Sequence, residues 1–258
     1  MAFTSHYSDV MQTQEYGRIA HRESFYFWHV GRREILKEAL VRVLGTQKKD
    51  LRVLDYGCGP GGNILFLKDF GRVSGTDISQ TALEFAKTRG FEKLDKVNDH
   101  TLPYPGGSFD LVSSLDVFEH IDTDEAAIKE CFRVLKPGGV LLVTVPAHRW
   151  LWSAHDIVLN HFRRYARGEM KEKLRGAGLE VVEWSHFVTT AVPINFLRTT
   201  LDKIFKKPSD KLDTYDIEFS SLINSILLMI LRLEKALIRF FPIPFGSSLF
   251  VVAKKPMK

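Results

Sequence analysis

The 258-residue chain has little of several features that mark common protein classes. Cys58 and Cys131 are its only cysteines, too few for a disulfide framework, so we expect a reducing compartment. The first residues lack the basic and apolar regions of a secretory signal. Two uncharged apolar segments, 187–197 and 219–231, fall short of the roughly twenty residues that a membrane-spanning helix needs. These absences favour a cytoplasmic protein, with peripheral contact at the inner membrane face left open.

Charge of one sign is also scarce, because the net charge is only +5. Such a mild excess allows contact with an acidic surface but does not indicate a nucleic-acid partner. Hydrophobic residues make up 45% of the chain, which is ordinary for a globular protein. Length and composition therefore predict one large domain with additions.

Glycine is concentrated where a short apolar run ends. Residues 51–55 read as a buried strand closed by Asp55, and a helical pattern begins at Ile64. Between them lie Gly57, Gly59, Gly61 and Gly62, which free the backbone and remove side chains. A strand, a glycine-rich turn and a helix N-terminus let a ligand lie against bare backbone N–H groups.

An acidic residue follows this turn at a spacing that is typical of nucleotide-binding folds. Asp77 closes a second predicted strand, 72–77, about twenty residues after the first glycines, where a ribose-binding carboxylate belongs. A carboxylate there can accept two hydrogen bonds from a ribose diol. On this pattern alone, NAD and other nucleoside cofactors remain alternatives.

Several ordered blocks resemble those of class I S-adenosylmethionine-dependent methyltransferases, over roughly residues 50–182. The glycine turn resembles their first motif, and a further block resembles the ubiquinone-biosynthesis O-methyltransferases. The blocks are 53–61, 77–79, 102–112, 116–120 and 133–139.

The resemblance implies a cofactor, S-adenosylmethionine, and residues that bind it. Asp77 would hold the ribose, the glycine turn would lie beneath the methionine part, and Asn98 or Asp99 would meet the adenine. Arg32 or Arg33, before the first strand, would reach the cofactor carboxylate, because the related O-methyltransferases have an arginine in roughly this position. The predicted cofactor-binding residues are Asp55, Gly57, Gly59, Gly61, Asp77, Ile78, Asn98, Asp99, Leu115 and Arg33.

Strand and helix patterns alternate through residues 51–145, which predicts an α/β fold. The third strand is expected near 96–98, the fifth at 140–145 and the last at 248–254, and Asp122 can cap the helix before the fifth strand. A further helix is predicted at 193–205. We expect a Rossmann-like, doubly wound, mostly parallel sheet of seven strands with an antiparallel last strand. An N-terminal helical lid and a C-terminal helical insertion complete it. The predicted divisions are 1–50 for the arm and lid helix, 51–185 for the core, 186–247 for the insertion and 248–258 for the last strand and tail.

The loop after the fifth strand is rich in histidine and tryptophan, and in this fold it would lie over the methyl group. An imidazole near neutral pKa suits proton removal from a hydroxyl. The predicted catalytic residues are His155, His161, Tyr165 and His120, and His148, Trp150 and Trp152 are further pocket candidates.

A metal ion is not expected, although three ligand types share a helical spacing. Asp116, Glu119 and His120 stand at i, i+3 and i+4, as in the O-methyltransferases that this block resembles. They are weak candidates for Mg²⁺ or Zn²⁺, because ordinary capping and hydrogen bonds explain the same residues.

The predicted function is methyl transfer to an oxygen atom of a small or lipid-linked molecule. Apolar residues from Leu222 to Phe241 recur every three or four positions, flanked by basic residues. This helix would pack onto the domain as part of a helical subdomain, cover the substrate, touch an anionic membrane or form a homodimer. An NAD-dependent oxidoreductase and a non-catalytic membrane adaptor are the alternative functions.

Overall fold

The computed structural model describes residues 13–45, 50–193, 196–197, 200 and 219–257. Its helices within these residues begin with α1 and α2 before the sheet and end with α8 near the C-terminus. They are α1 Thr13–Arg22, α2 Phe27–Leu44, α3 Ile64–Leu67, α4 Gln80–Ala86, α5 Asp124–Val134, α6 Ala154–Val158, α7 Arg167–Gly176 and α8 Ser221–Ile238.

Seven strands form one sheet in the order β3-β2-β1-β4-β5-β7-β6. Neighbours are parallel except at β7, which runs antiparallel to both β5 and β6. The predicted fold class is thus confirmed. The strands are β1 Leu51–Tyr56, β2 Gly71–Asp77, β3 Lys93–Lys96, β4 Phe109–Leu115, β5 Leu135–Pro146, β6 Glu180–Phe187 and β7 Ser248–Lys254. The ends of β1 to β6 therefore meet at one edge of the sheet, called the carboxyl edge below.

The central strands are apolar on both faces. Val53 and Leu54 in β1, and Leu111 and Val112 in β4, are completely buried although consecutive side chains point to opposite faces. Strands of this kind require helices on both sides of the sheet. One hydrophobic cluster lies under α2 and α3, and a second lies under α5 and α7.

Helix α2 covers one face of the sheet and buries Ile35, Leu36, Ala39 and Leu40. Helix α8 packs on the outer side of α2. A Cβ atom at Gly31 would lie 2.5 Å from Cδ1 of Leu231, so glycine is what allows the two helices to approach so closely.

The N-terminal arm differs from the prediction. Residues 1–24 are polar and patternless, yet the described part contains α1, whose Tyr16 ring stands 6.3 Å from that of Phe85 on α4. A tertiary contact outweighs weak local preference here. Residues 1–12 lie outside the described part.

Three element boundaries also differ. The third strand was predicted near 96–98 but covers Lys93–Lys96, and the fifth was predicted at 140–145 but begins at Leu135. Helix α5 starts after Thr123, so the predicted cap at Asp122 is wrong. The helix predicted at 193–205 lies mostly outside the described residues.

Candidate functional site

The turn after β1 is shaped by glycines with left-handed backbone. Gly57, Gly59 and Gly61 have φ of 72°, 53° and 91°. The N–H groups of Gly57 and Cys58 both donate to the carbonyl of Thr76, at 2.8 and 2.9 Å, which binds the turn to β2. A Cβ at Gly59 would meet no atom within 4 Å, so the turn has open space beside bare backbone. This space fits the methionine part of the expected cofactor.

Asp77 ends β2 directly beside the turn. Its Oδ2 accepts a hydrogen bond from the Gly59 N–H, and its Oδ1 accepts one from the Ser79 N–H, each at 2.8 Å. Each carboxylate oxygen keeps a second lone pair for a ribose hydroxyl. Burial raises the pKa of Asp77, and backbone N–H groups oppose that shift.

The remaining predicted adenine-side residues follow the same edge. Ile78 is 41% exposed beside Asp77, and Asn98 is exposed one residue after Val97, whose N–H donates to the Asp77 carbonyl at 3.0 Å. Asp99 accepts from the Thr101 N–H at 2.7 Å. Leu115 ends β4 and is buried.

Beneath the turn lies a buried polar network that the sequence did not indicate. Asp55 is fully buried and accepts from the Ser113 hydroxyl at 2.8 Å and from Asn63 at 3.3 Å. Burial raises the pKa of Asp55 to about 7. Arg32 of α2 donates to Asn63 at 3.0 Å and to Asp116 at the end of β4. Arg32 therefore joins α2 to the loop after β1 and to the loop after β4.

Arg33, which was predicted to reach the cofactor, instead donates to the carbonyl of Glu23 after α1. The Glu23 carboxylate pairs with Arg89 at 2.8 Å and lies against Gly62, where any Cβ would collide with it. The segment after α1 thus closes one side of the turn.

A second cluster stands at the carboxyl edge beyond Asp116. Ligand atoms of Glu119, His120 and His161 lie within 4.8 Å of one another, the one such group among the described residues. Asp156 holds His161 through Nδ1 at 2.9 Å. Asp116 is paired with Arg32. The residues here that could hold Zn²⁺ or Mn²⁺ are therefore Glu119, His120 and His161.

Comparison with known proteins agrees with this geometry. Residues 54–143 match the family model for a methyltransferase domain. A probable S-adenosylmethionine-dependent methyltransferase of Mycolicibacterium smegmatis is 36% identical over 50% of this chain and 52% of its own length. A ubiquinone biosynthesis O-methyltransferase of Marinobacter nauticus is 30% identical over 51% and 65%.

Residues 54–143 are thus similar to a methyltransferase domain, and the matched relatives include a probable S-adenosylmethionine-dependent enzyme. The chain spans about half the length of the curated relatives it matches. Among solved structures, Haemonchus contortus phosphoethanolamine N-methyltransferase 2 is 20% identical, with a TM-score of 0.63 over 98% of this chain and 61% of that one. A methyltransferase from Mesorhizobium loti is 16% identical, with a TM-score of 0.55 over 84% and 96%. Both share the fold.

The four predicted catalytic residues do not form one group in the structure. His120 and His161 come together, with ring centroids 4.6 Å apart, and burial lowers the pKa of His120 to about 4. His155 lies on α6. Tyr165 is completely buried and donates to Asp124 at 2.7 Å, which leaves it no surface for a substrate.

Glu119 makes stability depend on pH. Burial, followed by the charge of Asp116, raises its pKa well above the ordinary value, and its Oε2 has no hydrogen-bond partner. The folded state therefore keeps a proton that the unfolded chain loses above about pH 4.3. Stability falls as pH rises through this window, by at most about 1.4 kcal/mol per pH unit from this group.

We expect Glu119→Gln to flatten this dependence and to be more stable than the wild type at pH 8. Urea denaturation between pH 5 and 8, with a chelator present, measures it. Glu172→Gln, at an exposed position on α7, is the control and should follow the wild type. A wild-type slope retained in Glu119→Gln would contradict the assignment.

Proposed function

We propose that the protein transfers the methyl group of S-adenosylmethionine to an oxygen atom of a lipid-linked acceptor at a membrane surface. The observation that carries the lipid part is an exposed apolar face on α8 and the residues that follow it. The cofactor part rests on the glycine turn, on Asp77 and on the family of residues 54–143.

The outer face of α8 is apolar along its length. Its members recur every three or four residues, so they share one side of the helix over about 27 Å. Among the described residues, nearly half of the large exposed apolar side chains lie between Leu222 and Phe245. We call this face the apolar crest, formed by Leu222 (69% exposed), Ile226 (45%), Met229 (56%), Leu233 (59%), Leu237 (47%) and Phe240 (79%).

The charges beside the crest suit an anionic bilayer. Arg232 and Lys235 share one carboxylate, Glu34, and Arg239 is 4.0 Å from Glu38, so cations outnumber acids there. The acid of α8 itself, Glu234, is buried and accepts from the N–H groups of Val188 and Thr189. An amphipathic helix with basic flanks lies flat in an anionic interface. None of the helices in the described part could span a membrane.

The acceptor side of the sheet supports oxygen as the receiving atom. Burial keeps several imidazoles at the carboxyl edge neutral, His120 among them, and a neutral imidazole can take a proton from a hydroxyl. The matched Marinobacter nauticus relative is named as a ubiquinone biosynthesis O-methyltransferase, which supports the same reaction class. Bound S-adenosylmethionine would supply an already activated methyl group. The chain then has to bind it, align the acceptor and exclude water.

Vesicle sedimentation tests the membrane part. We expect the protein to pellet with phosphatidylcholine–phosphatidylglycerol vesicles and less with pure phosphatidylcholine. Leu233→Ser and Phe240→Ser should each weaken binding by about thirtyfold, because each removes roughly 2 kcal/mol of apolar burial. Val182→Ser, which changes an exposed apolar residue on β6, is the control.

Two outcomes would overturn the membrane part. One is equal pelleting of the crest variants and the wild type. The other is a stable dimer of the wild type in the absence of vesicles, together with monomeric crest variants. In that case a second copy of the chain would cover the crest.

A further inference from the structure

Two histidines meet at the carboxyl edge on the side away from the glycine turn. His148 follows the end of β5, and His186 lies near the end of β6. Their rings stack with centroids 4.9 Å apart and planes 10° apart. In the sheet order, β5 and β6 lie beyond β4, whereas the cofactor residues occupy β2, β1 and β4. The pair therefore stands on the half of the edge that the cofactor leaves for an acceptor.

Both imidazoles carry a buried nitrogen without a partner. The Nε2 atoms of His148 and His186 make no hydrogen bond, and His186 is only 3% exposed. Buried polar atoms in folded proteins are rarely left unpaired without a functional reason. Burial, followed by the charge of His148, lowers the pKa of His186 to about 4, and burial and Arg164 lower that of His148. Both rings are thus neutral at pH 7 and ready to bind a hydroxyl.

Exposed aromatic rings surround the pair. The ring of Trp150 stands 5.5 Å from that of His148 and 5.8 Å from that of Phe245, and Phe196 lies 5.9 Å from Trp150. These three side chains, called the aromatic wall, come from separate segments and are each about half exposed. Exposed aromatic clusters of this size are characteristic of ligand-binding surfaces.

The backbone at His148 also departs from the usual range. Its φ is +61°, in the left-handed region that residues other than glycine rarely adopt. Backbone outliers of this kind concentrate at binding and catalytic sites. Here the turn brings the imidazole against both His186 and Phe245, whose ring lies 4.9 Å from that of His148.

We propose that His148, His186 and the aromatic wall form the acceptor subsite of the methyltransferase, and that it takes a flat apolar ring bearing a hydroxyl group. The ring packs on the wall and the hydroxyl donates to Nε2 of His148. As the oxygen–carbon bond forms and the carbon–sulfur bond breaks, the hydroxyl proton passes to that nitrogen and later to water. This inference rests on the proposed function and assigns residues to its acceptor side.

Binding of small probes tests the subsite. With the protein saturated with S-adenosylhomocysteine, titration calorimetry or ligand-observed NMR compares 2-naphthol with 2-methoxynaphthalene, which lacks the hydroxyl proton. We expect the wild type to prefer 2-naphthol by about fivefold, as one hydrogen bond implies. His148→Phe keeps the ring area but should abolish this preference.

The aromatic wall gives a different signature. Trp150→Ala should weaken both probes alike, by about tenfold, and leave the preference between them unchanged. Phe241→Ala, an exposed phenylalanine after α8, is the control and should match the wild type. The affinity for S-adenosylhomocysteine should not change in any variant, which also shows that each one is folded.

Equal affinity of the wild type for the two probes, or a preference that survives in His148→Phe, would overturn the subsite. A protein that binds S-adenosylhomocysteine but neither probe would also overturn it while leaving methyl transfer in place. Failure to bind S-adenosylhomocysteine at all would instead refute the proposed function.

Discussion

Replacing Asp77 by alanine is expected to weaken S-adenosylhomocysteine binding by about a hundredfold or more. The carboxylate has two lone pairs left for the ribose diol, and a hydrogen bond to a charged group contributes about 1.5–3 kcal/mol. Losing two such bonds costs roughly 3 kcal/mol or more, which corresponds to that factor. Titration calorimetry measures it directly.

The same carboxylate also supports the apo structure, so folding must be measured alongside. Asp77→Ala leaves the N–H groups of Gly59 and Ser79 without their acceptor. We expect a loss of about 1–3 kcal/mol in the free energy of unfolding, with the circular dichroism spectrum unchanged. Asp77→Asn, which keeps one acceptor oxygen, should fall between alanine and the wild type.

Glu84→Ala is the matched control, because this acid is exposed on α4 a few residues after Asp77. It should bind the ligand as tightly as the wild type. Wild-type affinity in Asp77→Ala would remove the ribose role of the carboxylate, and with it the cofactor site described above.

How far the sequence predicted the fold depended on the kind of signal. The last strand, Ser248–Lys254, was predicted to the residue because it is a continuous apolar run buried on both faces. Strand β3 was misplaced because it lies at the edge of the sheet and its residues Lys93–Lys96 are mostly charged. Helix α1 could not be recognised from an apolar pattern in the sequence, because the ring of a single residue, Tyr16, contacts Phe85 of α4.

The site divides in the same way. The glycine turn and Asp77 were predictable because the ligand demands them at a fixed spacing along the chain. Arg32 and Asp116 are 84 residues apart. His148 follows β5 whereas His186 lies on β6, so only the folded sheet brings each of these pairs together. Helical spacing grouped Glu119 with Asp116 and His120. In the structure Asp116 pairs with Arg32, and His161 joins Glu119 and His120 from a distant part of the chain.

Gly59→Ala gives the second large expected effect, and it separates cofactor binding from folding. A Cβ at this position meets nothing in the protein, but it projects from the backbone on which the methionine part of the cofactor would lie. We expect S-adenosylhomocysteine affinity to fall by at least about fiftyfold. The free energy of unfolding should fall by only about 1–2 kcal/mol, the cost of a left-handed alanine.

Two other glycines supply the controls for this prediction. Gly107 has φ of +71°, open space around its Cα and a position before β4 at the opposite edge of the sheet. Gly107→Ala should therefore show the same stability loss with full ligand affinity. A Cβ at Gly57 would lie 2.5 Å from Val117, so Gly57→Ala should lose more stability than either.

The comparison of the three alanine variants decides what the turn is for. If Gly59→Ala binds S-adenosylhomocysteine like Gly107→Ala, the bare backbone does not contact the cofactor and the turn serves only to join β1 to α3. If it loses affinity while urea denaturation gives the same stability for both, the missing side chain at Gly59 is needed for the ligand. The second result is the one expected, because the left-handed backbone and the open space at Gly59 are also found at Gly107, so the expected cofactor is what distinguishes the two positions.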